Sequence, residues 1–159
     1  MIRKHKRYSR PRKLYDKARI ENENLLLKRY GLKSKREIWK AEAAVDRIRK
    51  QAKSLITSSK EEQEKLFEKL RKIGFDIKNT ADALALNKEN WLKRRLQSLV
   101  VEKKLARTPK EARQLIAHKH ISIGGKRINI PSYIVPVDEE DKIEIKTVRK
   151  ISEKNTEKN

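Results

Sequence analysis

Ile38, Ala41, Val45, Ile48, Ala52 and Leu55 recur at alternating steps of three and four along an uninterrupted stretch that opens at Ser34. Only an α-helix brings such positions onto one side, so the spacing predicts a long helix with a single apolar stripe. Ser34 and Glu37 stand at capping-box spacing at its start, where a hydroxyl and a carboxylate suit the first free amides. Arg36, Lys40, Arg47, Arg49, Lys50 and Lys53 fall largely off the stripe, so the helix can pack inward and carry positive charge outward. Two more helices flank it. Asp16 is placed to cap one running through Leu25, Leu26 and Tyr30, with Gly31 where a left-handed residue ends it. Ser58 and Glu61 repeat the capping pattern ahead of Leu66, Phe67, Leu70 and Ile73, which stop at Gly74.

After a break from Phe75 to Leu86, Asn87 is expected to cap a helix with the apolar face Leu92, Leu96, Leu99 and Val100, Arg94 and Arg95 pointing elsewhere. Thr108-Pro109-Lys110-Glu111 combines an N-cap, a proline at the first helical position and a glutamate at the third. It starts a short helix with Ala112, Leu115 and Ile116 inward and Lys110, Arg113 and Gln114 outward. The period then drops to two. Ile121 and Ile123 alternate with polar residues, Gly124-Gly125 supplies a tight turn, and Ile128 and Ile130 resume the alternation, which predicts a β-hairpin. Pro131 ends that strand, Tyr133 to Val137 is a candidate strand, Asp138 to Asp141 a turn, and Ile143 and Ile145 a last strand. The expected fold class is α+β. A basic arm and helical region occupy 1–87, a small domain of two helices packed on a short antiparallel sheet occupies 88–146, and a polar tail occupies 147–159, so both termini are tails rich in basic residues.

Charge decides the kind of partner. The chain has 43 Lys and Arg against 22 Asp and Glu, a formal +21 on 159 residues. A compact body carrying that charge repels itself, and a phosphate backbone with its condensed counterions relieves it best. No segment approaches the roughly 18 consecutive apolar residues of a membrane span, and the start MIRKHKRYSR has no apolar signal core. The expectation is a cytoplasmic protein with no membrane partner. The absence of cysteine rules out disulfides, thiol catalysis and Cys-ligated zinc. The arm over 1–13 carries Arg7, Arg10 and Arg12 among its cations, and such arms commonly fold onto RNA.

Chemistry beyond binding finds little support. His118 and His120 straddle a helix-to-strand turn without a carboxylate cluster, and the acidic run at 138–141 lacks the ligand spacing and glycine of a calcium loop. Trp39 and Trp91 fit packing at helix junctions better than base stacking. Residues 1–87 hold no Gly-rich phosphate loop, no nucleophile elbow and no acid-base pair, so no enzyme and no cofactor are expected. Basic residues on the outer sides of two helices, with aromatics at only 5%, suit a folded RNA read by shape. Duplex DNA is the weaker reading, because no helix groups the Arg, Asn and Gln of base readout.

From Leu92 to Ile143 the chain resembles the αL RNA-binding domain of the S4 family of ribosomal proteins. The pieces that carry the likeness are Arg94-Arg95-Leu96-Gln97, Ala112-Arg113-Gln114-Leu115-Ile116 and Asn129-Ile130-Pro131-Ser132-Tyr133. Residues 6–55, with Tyr30-Gly31-Leu32-Lys33 and Lys35-Arg36-Glu37-Ile38-Trp39, are similar to the archaeal and eukaryotic branch. The resemblance implies a structural constituent of the small ribosomal subunit. It would bind a multi-helix junction in the 5′ region of small-subunit rRNA, nucleate assembly, and lie near the place where mRNA enters, beside ribosomal protein S5, contributing to translational accuracy. It also implies RNA contacts at Arg94, Arg95, Lys110, Arg113, Gln114, Lys119, Lys126 and Arg127, joined by Arg7, Arg10 and Arg12 of the arm. Two departures stand out: Pro109 sits where bacterial relatives usually have Arg, and Lys119 where they often have Gly. Some bacterial members bind zinc through N-terminal cysteines, so with none here neither zinc nor another cofactor is expected, and no homo-oligomer. The alternative is a non-ribosomal RNA chaperone or ribosome-rescue factor that uses the same domain.

Overall fold

The computed structural model describes residues 8–145, so Arg7 and the tail over 147–159 lie outside the described residues. The order is α1 (Lys17–Tyr30), α2 (Lys35–Ser54), α3 (Lys60–Ile73), α4 (Thr80–Ala85), α5 (Lys88–Lys93), α6 (Leu96–Glu102), α7 (Pro109–Ala117), β1 (Ile121–Ile123), β2 (Lys126–Arg127), α8 (Val137–Glu140) and β3 (Ile143–Ile145). The class is α+β and mostly helical. Local signals account for several of the element ends. Asp16 accepts a hydrogen bond from Arg19 N at 3.3 Å, Gly31 and Gly74 end α1 and α3 at φ +58° and +93°, and Thr108 Oγ1 accepts from Glu111 N. The cap of α3 is Ser59, one residue past the expected Ser58. Ser34 caps α2 by backbone alone, its carbonyl accepting from Glu37 N at 3.1 Å.

The apolar stripe of α2 is buried along its length, in two clusters. Its first turns join α1 and α5 through Leu26, Tyr30, Ile38, Ala41 and Leu92. Its later turns join α3 and α4 through Val45, Ile48, Ala52, Leu66, Phe67, Leu70 and Ala83. A third cluster, with Leu96, Leu99, Val100, Ile116, Ile121 and Val135, lies between α6, α7 and the sheet. Leu96, Ile116 and Ile121 are fully buried, each contributing about 1.5–3 kcal/mol of apolar burial. The sheet order is β2-β1-β3, all antiparallel, with Ile123 opposite Lys126 and Ile143. Gly124 and Gly125, at φ +52° and +82°, make the two-residue turn between β1 and β2.

Four sequence expectations need correction. The break over 75–86 contains α4, whose Asp82 carboxylate accepts from the Lys78 and Asn79 amides at 3.0 Å. The single helix expected across Leu92 to Val100 is two, parted at Arg94 and Arg95, where Arg95 is extended at ψ 144°. Tyr133 to Val137 is not a strand. The carbonyls of Pro131 and Tyr133 accept from the first amides of α6, Gln97 N and Leu96 N, so the chain here caps a helix, leaving one bridge between Arg95 and Ile134. For the same reason Ile130 leaves the sheet and is 54% exposed. The acidic run, finally, is mostly helical, as α8.

Candidate nucleic-acid interface

An open cleft of about 840 Å³ runs between the outer side of α2 and the domain built on α6, α7 and the sheet. Arg36, Lys40 and Arg47 form one wall, at spacings of four and seven that keep them on one side of α2. At 1.5 Å per residue they extend over about 16 Å of helix. Arg113 of α7 stands across from them, Pro131, Ser132 and Ile134 complete the far side, and Tyr8, Trp91 and Leu92 also contribute. Five cationic side chains and a single carboxylate line the space, so its potential is positive and its walls concentrate that field.

The carboxylate is Glu37, and it organises the floor. Its oxygens accept from Arg95 at 2.6 Å and from Arg113 at 3.1 Å, joining the start of α2 to the start of α6 and the middle of α7. Burial works against charge on Glu37, but the hydrogen bonds from the two guanidinium groups outweigh it and hold the carboxyl below its usual range. Arg95, expected on an exposed side, is 4% exposed. The extended backbone at the helix break turns its side chain inward to Glu37. Arg113, with 27% of its side chain exposed, keeps part of its guanidinium facing the cleft.

Arg94 and Gln97 are structural ties between the two halves. Arg94 donates to the carbonyls of Ile73 and Val135 and to Glu140, its guanidinium lying against the open face of Gly74, where a Cβ would meet it at 2.5 Å. Its side chain is 15% exposed, so the expected outward orientation does not hold. Gln97 is buried and its amide donates to the carbonyls of Tyr30, Gly31 and Pro109 at 2.8–3.1 Å.

The remaining sequence-derived residues are exposed. Lys110 and Gln114 stand on α7 beside Arg113, three or four residues apart and thus on one helix side. Lys119 follows α7 at φ +62°, with His120 N bonded to Leu115 O, a left-handed helix stop that explains why glycine suits the position. Lys126 and Arg127 form β2, and Arg10 and Arg12 lie on the arm. None of these seven lines the cleft. Conversely, Arg36, Lys40 and Arg47, outward charges of α2 that the sequence does not single out as a site, do line it. Their spacing on one helix side was the available signal. The acidic run is occupied internally: Glu139 accepts from the Tyr133 hydroxyl, Glu140 from Arg94, and Asp141 pairs with Lys103. Among the described residues no group of three or more His, Asp or Glu could hold a metal ion, and no helix is long and apolar enough to cross a membrane.

Two helices on a hairpin-centred sheet, entered through Arg94 and Arg95, correspond to a known domain, and residues 94–141 match the family described as the S4 domain. The class is therefore that of S4-domain proteins. Over its greater length the chain is 46% identical to the small ribosomal subunit protein uS4 of Methanococcus aeolicus, across 145 residues that cover 87% of this chain and 82% of the relative. The uS4 protein of Korarchaeum cryptofilum is 43% identical over 90% of each chain, and that of Sulfurisphaera tokodaii 46% identical over 79% of this chain and 75% of its own. The chain belongs to the uS4 family.

Proposed function

We propose that this protein is a structural constituent of the small ribosomal subunit that binds small-subunit rRNA in the basic cleft between α2 and α7. The cleft is the observation that carries the reading: α2 and α7 set four cations around one space, with Arg95 at its floor, in a chain of net charge +21. The relatives are named as small-subunit ribosomal proteins, structural proteins and not enzymes, and this chain is likewise not an enzyme. Arg113 contacts the RNA from one side and Arg36, Lys40 and Arg47 from the other, with Lys110 and Gln114 of α7 meeting it outside the cleft. Arg10, Arg12, Lys119, Lys126 and Arg127 extend the contact beyond the cleft, while Arg94 and Arg95 hold the walls in place. In the finer reading, the RNA element is a junction in the 5′ region, binding there starts subunit assembly, and the bound protein lies beside S5 near where mRNA enters, supporting accurate decoding in the cytoplasm.

The test is binding of the full chain to folded small-subunit rRNA against large-subunit rRNA across a salt series. Preference for the small-subunit RNA is expected, with log K falling about seven times as steeply as log salt rises if roughly eight phosphates are neutralised. Arg113→Ala should weaken binding by about 1–3 kcal/mol. Equal affinity for both RNAs, or an unchanged affinity for the variant, contradicts the reading.

A further inference from the structure

Tyr15 is 93% exposed, the most exposed of the large hydrophobic side chains, and yet its backbone is held in place. Arg19 donates through Nη2 to the carbonyls of Lys13 and Leu14 at 2.9 and 3.0 Å, closing the turn that carries Tyr15. The other end of that guanidinium is anchored at 2.7 Å on Glu23, which is 3% exposed and also accepts from Trp39 Nε1. Asp16, the next residue, is committed to capping α1. Buried carboxylate, arginine and turn thus form one chain of support whose outcome is an aromatic ring standing in water. Holding a ring there gains no burial in the free protein.

Its surroundings name the partner. Arg10, Arg12, Lys13 and Lys17 are exposed around the turn, against the single carboxylate of Asp16. The same segment begins at Tyr8, which packs against Trp39 with ring centroids 6.1 Å apart and lines the basic cleft. Seven residues of chain reach at most about 25 Å, so the turn lies within one short span of the cleft. A flat ring among cations offers a face to a nucleobase and charge to the flanking phosphates. Paired bases already stack on their neighbours, so the base that can use this face is an unpaired one.

We propose that Tyr15 is a stacking platform for an unpaired nucleobase of the RNA whose backbone occupies the cleft. The assignment rests on the rRNA-binding reading above and adds to it a single-stranded contact at the end of the arm.

The experiment uses the full chain on folded small-subunit rRNA, with affinity measured for the wild type, Tyr15→Phe and Tyr15→Ala, and with ultraviolet cross-linking followed by tryptic mass spectrometry. Cleavage after Lys13 and Lys17 isolates Leu14–Lys17, which should carry a nucleotide adduct. Tyr15→Ala should lose roughly 5- to 100-fold in affinity, as expected for one stacked base, without a change in melting temperature or in the salt slope. Tyr15→Phe keeps the ring face and should bind within about twofold of the wild type. If the wild type binds the rRNA while Tyr15→Ala binds equally well and no adduct maps to this peptide, the stacking assignment alone is overturned. If the wild type shows no preference for small-subunit rRNA, the underlying reading falls, and this one with it.

Discussion

Replacing Glu37 by alanine tests the floor of the cleft. The carboxylate is shared by Arg95 and Arg113, whose side chains are 5% and 27% exposed. Arg113 can turn to solvent, so its lost pair costs little, about 0–1 kcal/mol as for exposed pairs. Arg95 cannot. A buried ion left without its partner costs about 3–5 kcal/mol, and because Arg95 borders an open cleft that admits water, the lower end applies. For a chain of this size each kcal/mol shifts Tm by about 2–4 °C, so Glu37→Ala should melt about 6–12 °C below the wild type by circular dichroism. Removing the charge together with its partner, in Glu37→Leu/Arg95→Met, should restore most of the loss, since apolar replacement of a buried pair is often neutral or better. A single variant that melts within about 2 °C of the wild type, or a double variant no more stable than the single one, would refute this account of Arg95.

Acid should weaken the fold through the same group and through Glu23. Both carboxyls titrate below their ordinary value near 4.5, burial opposing the charge and the hydrogen-bonded partners outweighing it. The folded state therefore binds fewer protons, so their contribution is present above pH 4.5 and lost as pH falls below it. Melting temperatures should drop there, and less steeply in Glu37→Ala. Gly31→Ala combines a left-handed backbone with a Cβ 2.7 Å from that of Pro109 and 3.0 Å from Gln97 Nε2. A loss of at least about 2 kcal/mol by urea denaturation is expected, exceeding the strain of the backbone alone. Lys119→Gly should separate stability from binding. Relief of φ +62° should add about 0.5–1 kcal/mol of stability, while loss of the exposed cation should lower rRNA affinity and flatten its salt dependence.

What could be read from the chain was local. The stripe of α2, the caps at Asp16 and Thr108, the stops at Gly31 and Gly74, and the Gly124-Gly125 turn each depend on residues within a few positions, and the structure contains them all. What could not be read depends on distant partners. Arg94, Arg95 and Gln97 sit on a helical pattern that says nothing of Ile73, Glu37 or Tyr30, which lie 21, 58 and 67 residues earlier. Those contacts break the expected helix at Arg95. The carbonyls of Pro131 and Tyr133, engaged by α6, likewise replace the strand that the Val and Ile content of the segment favoured. In the site, Arg113 was legible as an outward charge of α7, while Lys110 and Gln114 of the same helix do not line the cleft. The roles of Arg94 and Arg95 as ties within the protein were not, because an arginine's letter is the same whether it meets phosphate or carboxylate.

The central claim is most directly tested by fractionating native lysate on a sucrose gradient after a high-salt wash and following this chain through free, small-subunit and monosome fractions. Stoichiometric, salt-resistant recovery with small subunits and monosomes is the predicted result. Recovery chiefly in free or salt-labile fractions would contradict it and point to an RNA chaperone or ribosome-rescue factor built on the same domain.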